Sequence, residues 1–116
     1  MSTISIAELY TGKDQQSHFR TIVINTNSQQ PLGLYSKQFP TQHMMFRHFD
    51  AGIVFDWHVA PQAQYIIYLE GEVEVEIGCG EKRRFKASDI LFANDLSGQG
   101  HITRTLTQGK AVIIIT

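Results

Sequence analysis

Along the chain, apolar and polar residues alternate with period two far more often than they recur at the three-and-four spacing of a helix, which predicts strand almost throughout. The clearest segment is 70–77, where Val73, Val75 and Ile77 fall on one face and Glu72, Glu74 and Glu76 on the other. Gly78-Cys79-Gly80-Glu81 then supplies turn chemistry. Lys82-Arg83-Arg84-Phe85 can return antiparallel, setting basic side chains beside the acidic row, so these charges read as structural. Further strands are predicted over 2–9, 20–25, 33–37, 43–49, 63–69, 89–93, 100–106 and 111–116, separated by turn-rich stretches at 11–14, 25–31, 50–52 and 107–110. Many short strands with no helices between them predict an all-β fold, a small antiparallel β-barrel. A chain of 116 residues buries one core, so a single domain over 1–116 is expected.

Charge narrows the partners. Ten Lys plus Arg stand against eleven Asp plus Glu, a formal charge of −1, so there is no field to gather a phosphate backbone or anionic lipid. Neither nucleic acid nor a membrane is an expected partner. The longest apolar runs, at 65–69 and 111–115, fall far short of the roughly 20 residues of a spanning helix. The first residues lack a basic segment followed by an apolar core, so the expected compartment is the cytoplasm. A lone cysteine, Cys79, sits in a turn and leaves no internal disulfide or Cys-rich zinc site. No Gly-rich phosphate loop, serine nucleophile elbow or Cys-His pair supports phosphoryl or acyl transfer.

Candidate chemistry gathers from Gly52 onward. Five residues separate Gly52 from His58; Ala60 follows two later, then Gln64, and six residues separate that from Gly71. Ser88-Asp89 and His101 follow, with Thr105 four residues after that histidine. This frame resembles the cupin family, the RmlC-like jelly rolls built on a double-stranded β-helix, whose first motif reads G, five residues, H-x-H, three or four residues, E, six residues, G. Ala60 stands at the second histidine position and Gln64 at the glutamate position; Thr105 stands at the asparagine position of the second motif. The stretches 56–61, 69–71 and 98–101, with Ser17-His18-Phe19, are similar to a group of short single-domain cupins without an assigned activity.

The resemblance implies a divalent metal ion such as Fe, Mn, Ni or Zn, held inside the barrel by His58, His101 and the Gln64 carbonyl oxygen. Imidazole and oxygen donors together suit such borderline metals. The other reading of His58 and His101 makes them polar pocket residues bonded to each other, to water or to a ligand. His43 and His48, five apart, fall on opposite strand faces, so at most one can point inward.

If Gln64 points inward, Ile66 and Tyr68 do so too, and His101 shares a face with Thr103 and Thr105. Such a set gives apolar walls with a few polar groups, the usual make-up of a small-molecule site. Tyr68 offers a phenol to that pocket or packs as a core tyrosine. Arg47 offers a carboxylate-binding guanidinium if it faces inward, or a surface side chain packed along its stem. Trp57, beside His58, faces the other way. His18 is either a site residue or structural, and Asp89 and Asp95 read as turn caps.

The expected function is therefore binding of a small molecule in a metal-capable cupin barrel. The alternative is a metal-dependent oxygenase, isomerase or lyase on a small organic substrate. A homodimer is expected, with the apolar alternation at 2–9 offering a strand to a partner's sheet edge.

Overall fold

Period-two alternation becomes twelve strands among the described residues, 2–116, of the computed structural model. They are β1 (Ser2–Thr11), β2 (Ser17–Thr26), β3 (Ser28–Gln30), β4 (Gly33–Tyr35), β5 (His43–Phe49), β6 (Val54–His58), β7 (Gln64–Glu70), β8 (Glu72–Ile77), β9 (Lys82–Lys86), β10 (Ile90–Asn94), β11 (His101–Thr105) and β12 (Gly109–Ile115). A six-stranded sheet in the order β2-β1-β10-β7-β12-β5 faces a four-stranded sheet in the order β6-β11-β8-β9, and β3-β4 forms a separate hairpin. No helix among the described residues is long and apolar enough to cross a membrane.

The inward faces are those the alternation assigns. Ile66, Leu91, Ala93, Ala111 and Ile113 from the larger sheet meet Val73, Val75, Ile77 and Phe85 from the smaller in one cluster. Each large side chain buried this way contributes on the order of 1.5–3 kcal/mol. On the outer face of the smaller sheet, Arg84 reaches Glu72 at 3.6 Å. Arg104 of β11 reaches Glu74 at 3.2 Å and Glu76 at 2.7 Å, while Arg83 turns to Glu81. The acidic row is thus met from both sides, because β9 sets Arg84 and β11 sets Arg104 opposite Glu74, and the Arg104 guanidinium reaches both Glu74 and Glu76.

Three expectations change. The sheets are not wholly antiparallel: β1 runs parallel to β10, with Ala7 opposite Leu91 and Tyr10 opposite Asn94. Nor does hydrogen bonding close into one ring, since β2, β5, β6 and β9 are open edges. The strand at the N-terminus is flanked by β2 and β10, so it has no free edge to lend to a partner. Two strands also lie outside the predicted set: β3, hidden in the polar run 25–31, and β6, whose alternation is broken by a bulge opposite β11.

Gly100 sets the spacing between β11 and β6. Its φ is +76°, and an added Cβ would collide with the carbonyl of His58. Only a glycine accepts both the left-handed conformation and that backbone approach, which brings His101 directly opposite His58. Gly100→Ala is expected to cost about 2 kcal/mol or more of folding stability, read as a lowered denaturant midpoint. An unchanged midpoint contradicts this packing.

Candidate functional site

The site begins with a pair of facing strands. His58 closes β6 and His101 opens β11, and the two are register partners. On β6, Asp56 and Trp57 lie between the residues that pair with His101 and Thr103, where Ile102 stands alone on β11. That bulge turns both Phe55 and His58 inward although they are three apart, an odd spacing that regular alternation would place on opposite faces. The Phe55 ring lies flat on His58, 3.6 Å between centroids and 7° between planes, and the His58 and His101 rings sit 4.3 Å apart.

Around this pair a cavity of about 450 Å³ opens between the sheets. That size suits a small organic molecule. Its walls include Ile66, Leu91, Ala93 and Ile113, and its polar groups are Arg47, His58, Gln64, Tyr68, His101 and Thr103. The structure thus brings Arg47, His58, Gln64, Ile66, Tyr68, His101 and Thr103 onto one wall system, with Ala60 beside them. Arg47 reaches it because β5 pairs with β12 so that Arg47 stands opposite the inward Ala111. Among the described residues, no aspartate or glutamate lines the cavity. A second hollow of about 800 Å³ lies on the β3-β4 hairpin, lined by residues of 27–38 and holding no imidazole.

Other candidates fall elsewhere. His43 and His48 are exposed and neither lines the cavity. Trp57 does not line it either, as its place beside His58 implies. His18 pairs with Asp14 at 2.9 Å and leans on Tyr10, a surface arrangement that accounts for it structurally. Thr105 spends its hydroxyl on the Asp50 carbonyl and the Ile53 N–H, anchoring the loop that precedes β6. Asp89 caps its turn, accepting from the Lys86 N–H at 2.9 Å.

Asp95 is more than the turn cap expected of it. It is fully buried, and its Oδ2 accepts from the Ser17 hydroxyl at 2.6 Å and from His101 Nδ1 at 2.6 Å. Its Oδ1 has no partner among the described residues. Sequence reasoning missed this group because Ser17 lies 78 residues from Asp95 and only the fold joins them. The hydroxyl bonds the carboxylate rather than the imidazole, so this is not a nucleophilic triad.

The two imidazoles are oriented alike. A carboxylate oxygen only accepts, so His101 donates from Nδ1 and keeps Nε2 for the cavity. His58 Nδ1 lies 2.8 Å from the Asp56 carbonyl, which also only accepts, and its Nε2 is likewise left free. Burial holds His58 below the usual imidazole range and His101 adds to that, against the Asp56 bond and the Asp95 charge. Burial also pushes the Tyr68 phenol well above its usual range, so it stays protonated.

Tying back Nδ1 in this way is how metal-ligating histidines are commonly held. The donor set is otherwise thin: two imidazoles and a neutral amide, with no group of three or more His, Cys, Asp or Glu among the described residues. Such a set fits a weakly held, exchangeable ion better than a resident one.

No protein-family model matches the sequence, and no curated protein matches it. Among solved structures, the chain is similar to a protein from Salmonella typhimurium LT2 described as ethanolamine utilization protein Q, with 16% identity, a TM-score of 0.44, and 99% of this chain and 97% of the other covered.

The depressed His58 gives a pH signature. His58 binds its proton less tightly in the fold than in the unfolded chain, so its contribution to stability is complete above about pH 6.5 and is lost as pH falls through the folded value. Thermal unfolding of the native protein is therefore expected to fall more steeply between mildly alkaline and mildly acidic buffer than that of His58→Gln. Equal slopes in the two proteins contradict the assignment.

Proposed function

We propose that the chain is a cupin-like binding protein that holds a small organic anion in the cavity between its two sheets. One observation carries this reading: Arg47, His58 and His101 converge on a cavity with apolar walls and no lining carboxylate. Beside such apolar walls, a cation and N–H or O–H donors act on an anion more strongly than in bulk water. Arg47 would take the carboxylate, Thr103 and Tyr68 would donate to its remaining oxygens, and the two Nε2 atoms would accept from a hydroxyl or ammonium elsewhere on the ligand. Ile66 and its neighbours would enclose the carbon skeleton.

A second reading is a metal-dependent oxygenase, isomerase or lyase on a small organic substrate, favoured by the tethered Nδ1 atoms of both histidines. His58 and His101 would then hold a divalent Fe, Mn, Ni or Zn ion with the Gln64 carbonyl, and the ion would act as a Lewis acid.

The two readings separate in one experiment: NMR shift mapping of untagged, EDTA-treated protein against a panel of short-chain hydroxy- and amino-carboxylates. Shifts centred on His58, Arg47 and Thr103 are expected without metal, with affinity at least about tenfold weaker in Arg47→Met. Shifts that arise only after Zn²⁺ is added favour the metal reading. Shifts confined to residues away from the cavity overturn both.

A further inference from the structure

The polar groups of the cavity stand at two levels. Asp95 follows β10, whose Ala93 pairs with Gln64, and it bonds both His101 and the Ala60 backbone, so the two imidazoles and Gln64 share one end of the sandwich. Arg47 and Tyr68 share another level, because both pair with Ala111 from opposite sides of β12. Along β7 the two levels are Gln64 and Tyr68, four residues apart, which is about 13 Å of strand. Arg47 leans further from the histidines still, since its guanidinium lies 5.9 Å from the Phe49 ring, two residues on along β5.

Between the levels the walls are apolar. Ile66 of β7 and Met45 of β5 both pair with Ile113 of β12, and Phe55 enters from the facing sheet opposite Thr103. Met45 is 50% exposed and Phe55 58%, so both line the cavity from its open side. Phe55 spends one ring face on His58 and leaves the rest of its ring open. A flat aromatic ligand lodged at this middle level gains edge or offset contact with Phe55 and sulfur contact with Met45.

We propose that the ligand is a para-hydroxylated aryl carboxylate, with its carboxylate at the Arg47–Tyr68 level, its ring among Phe55, Met45 and Ile113, and its hydroxyl donating to the Nε2 of His58 or His101. This assignment rests on the anion-binding reading above and adds the ligand's length and shape. An α-hydroxy acid carries its two polar groups on neighbouring carbons and touches one level at a time. An alkyl chain long enough to touch both freezes several bonds on binding, a cost that a planar ring avoids. The ortho isomer turns its hydroxyl back beside its own carboxylate and leaves both imidazoles without a donor.

Isothermal titration of untagged, EDTA-treated protein with para-hydroxybenzoate, ortho-hydroxybenzoate and lactate tests this. Para-hydroxybenzoate is expected to bind at least about tenfold more tightly than either of the others, and Phe55→Leu is expected to narrow that margin to about threefold. Equal affinity for the two ring isomers, a preference for the ortho isomer, or an undiminished margin in Phe55→Leu overturns the proposal. Lactate bound more tightly than both ring compounds overturns the ligand class and leaves the anion-binding reading in place. Binding of none of the three also overturns the class, and the anion-binding reading then stands or falls with the short-chain acids named above. Should Phe55→Leu fail to fold, the isomer comparison on the native chain decides.

Discussion

The buried carboxylate of Asp95 sits where three parts of the chain meet. Its Oδ2 holds His101 at the start of β11 and Ser17 at the start of β2, while its backbone carbonyl accepts from the Ala60 N–H at 3.0 Å. Three separate segments are thereby fixed to one residue at the end of the sandwich. A buried carboxylate is tolerated only when donors reach it, and removing one of them leaves the charge under-paired at a cost of several kcal/mol. The rotamer and tautomer of His101 follow from this constraint, and the cavity's polar end follows from His101.

Around that anchor the cavity's electrostatics are one-sided. Asp95 lies behind His101 rather than on the wall, so what a ligand meets is the guanidinium of Arg47 and two imidazole edges. The outer surface of the smaller sheet is the reverse case: a dense row of half-buried acids and arginines that offset one another across strands. The chain thus sets a row of paired charges on an outer face and keeps a small, unbalanced set at the cavity. That contrast separates binding chemistry from surface charge more sharply than the near-zero net charge suggests.

Much of this was legible in the sequence, and what was not has physical reasons. Strand faces could be read wherever alternation was clean, as at Val73-Val75-Ile77 and Gln64-Ile66-Tyr68, because one face of a packed sheet must be apolar. β6 escaped prediction because its bulge places Phe55 and His58 on the same side. The parallel pairing of β1 with β10 was invisible, since it joins segments more than eighty residues apart by backbone bonds that leave no residue-type signature. Asp95 looked like any turn aspartate because one of its two side-chain partners, Ser17, comes from the far end of the chain. The exposed apolar residues of β5 alternate no differently from core residues, and only the strand order shows that β5 has nothing beside it.

The central claim is that two imidazoles are held by their Nδ1–H groups so that bare Nε2 atoms face the cavity. Long-range ¹H–¹⁵N correlation NMR of the histidine side chains in mildly alkaline buffer tests it directly, because it assigns each ring proton to one nitrogen. Both His58 and His101 should show Nδ1 protonated and Nε2 unprotonated, with the His101 pattern lost in Asp95→Ala. An Nε2–H tautomer at either residue, or a His101 pattern indifferent to Asp95, contradicts the account.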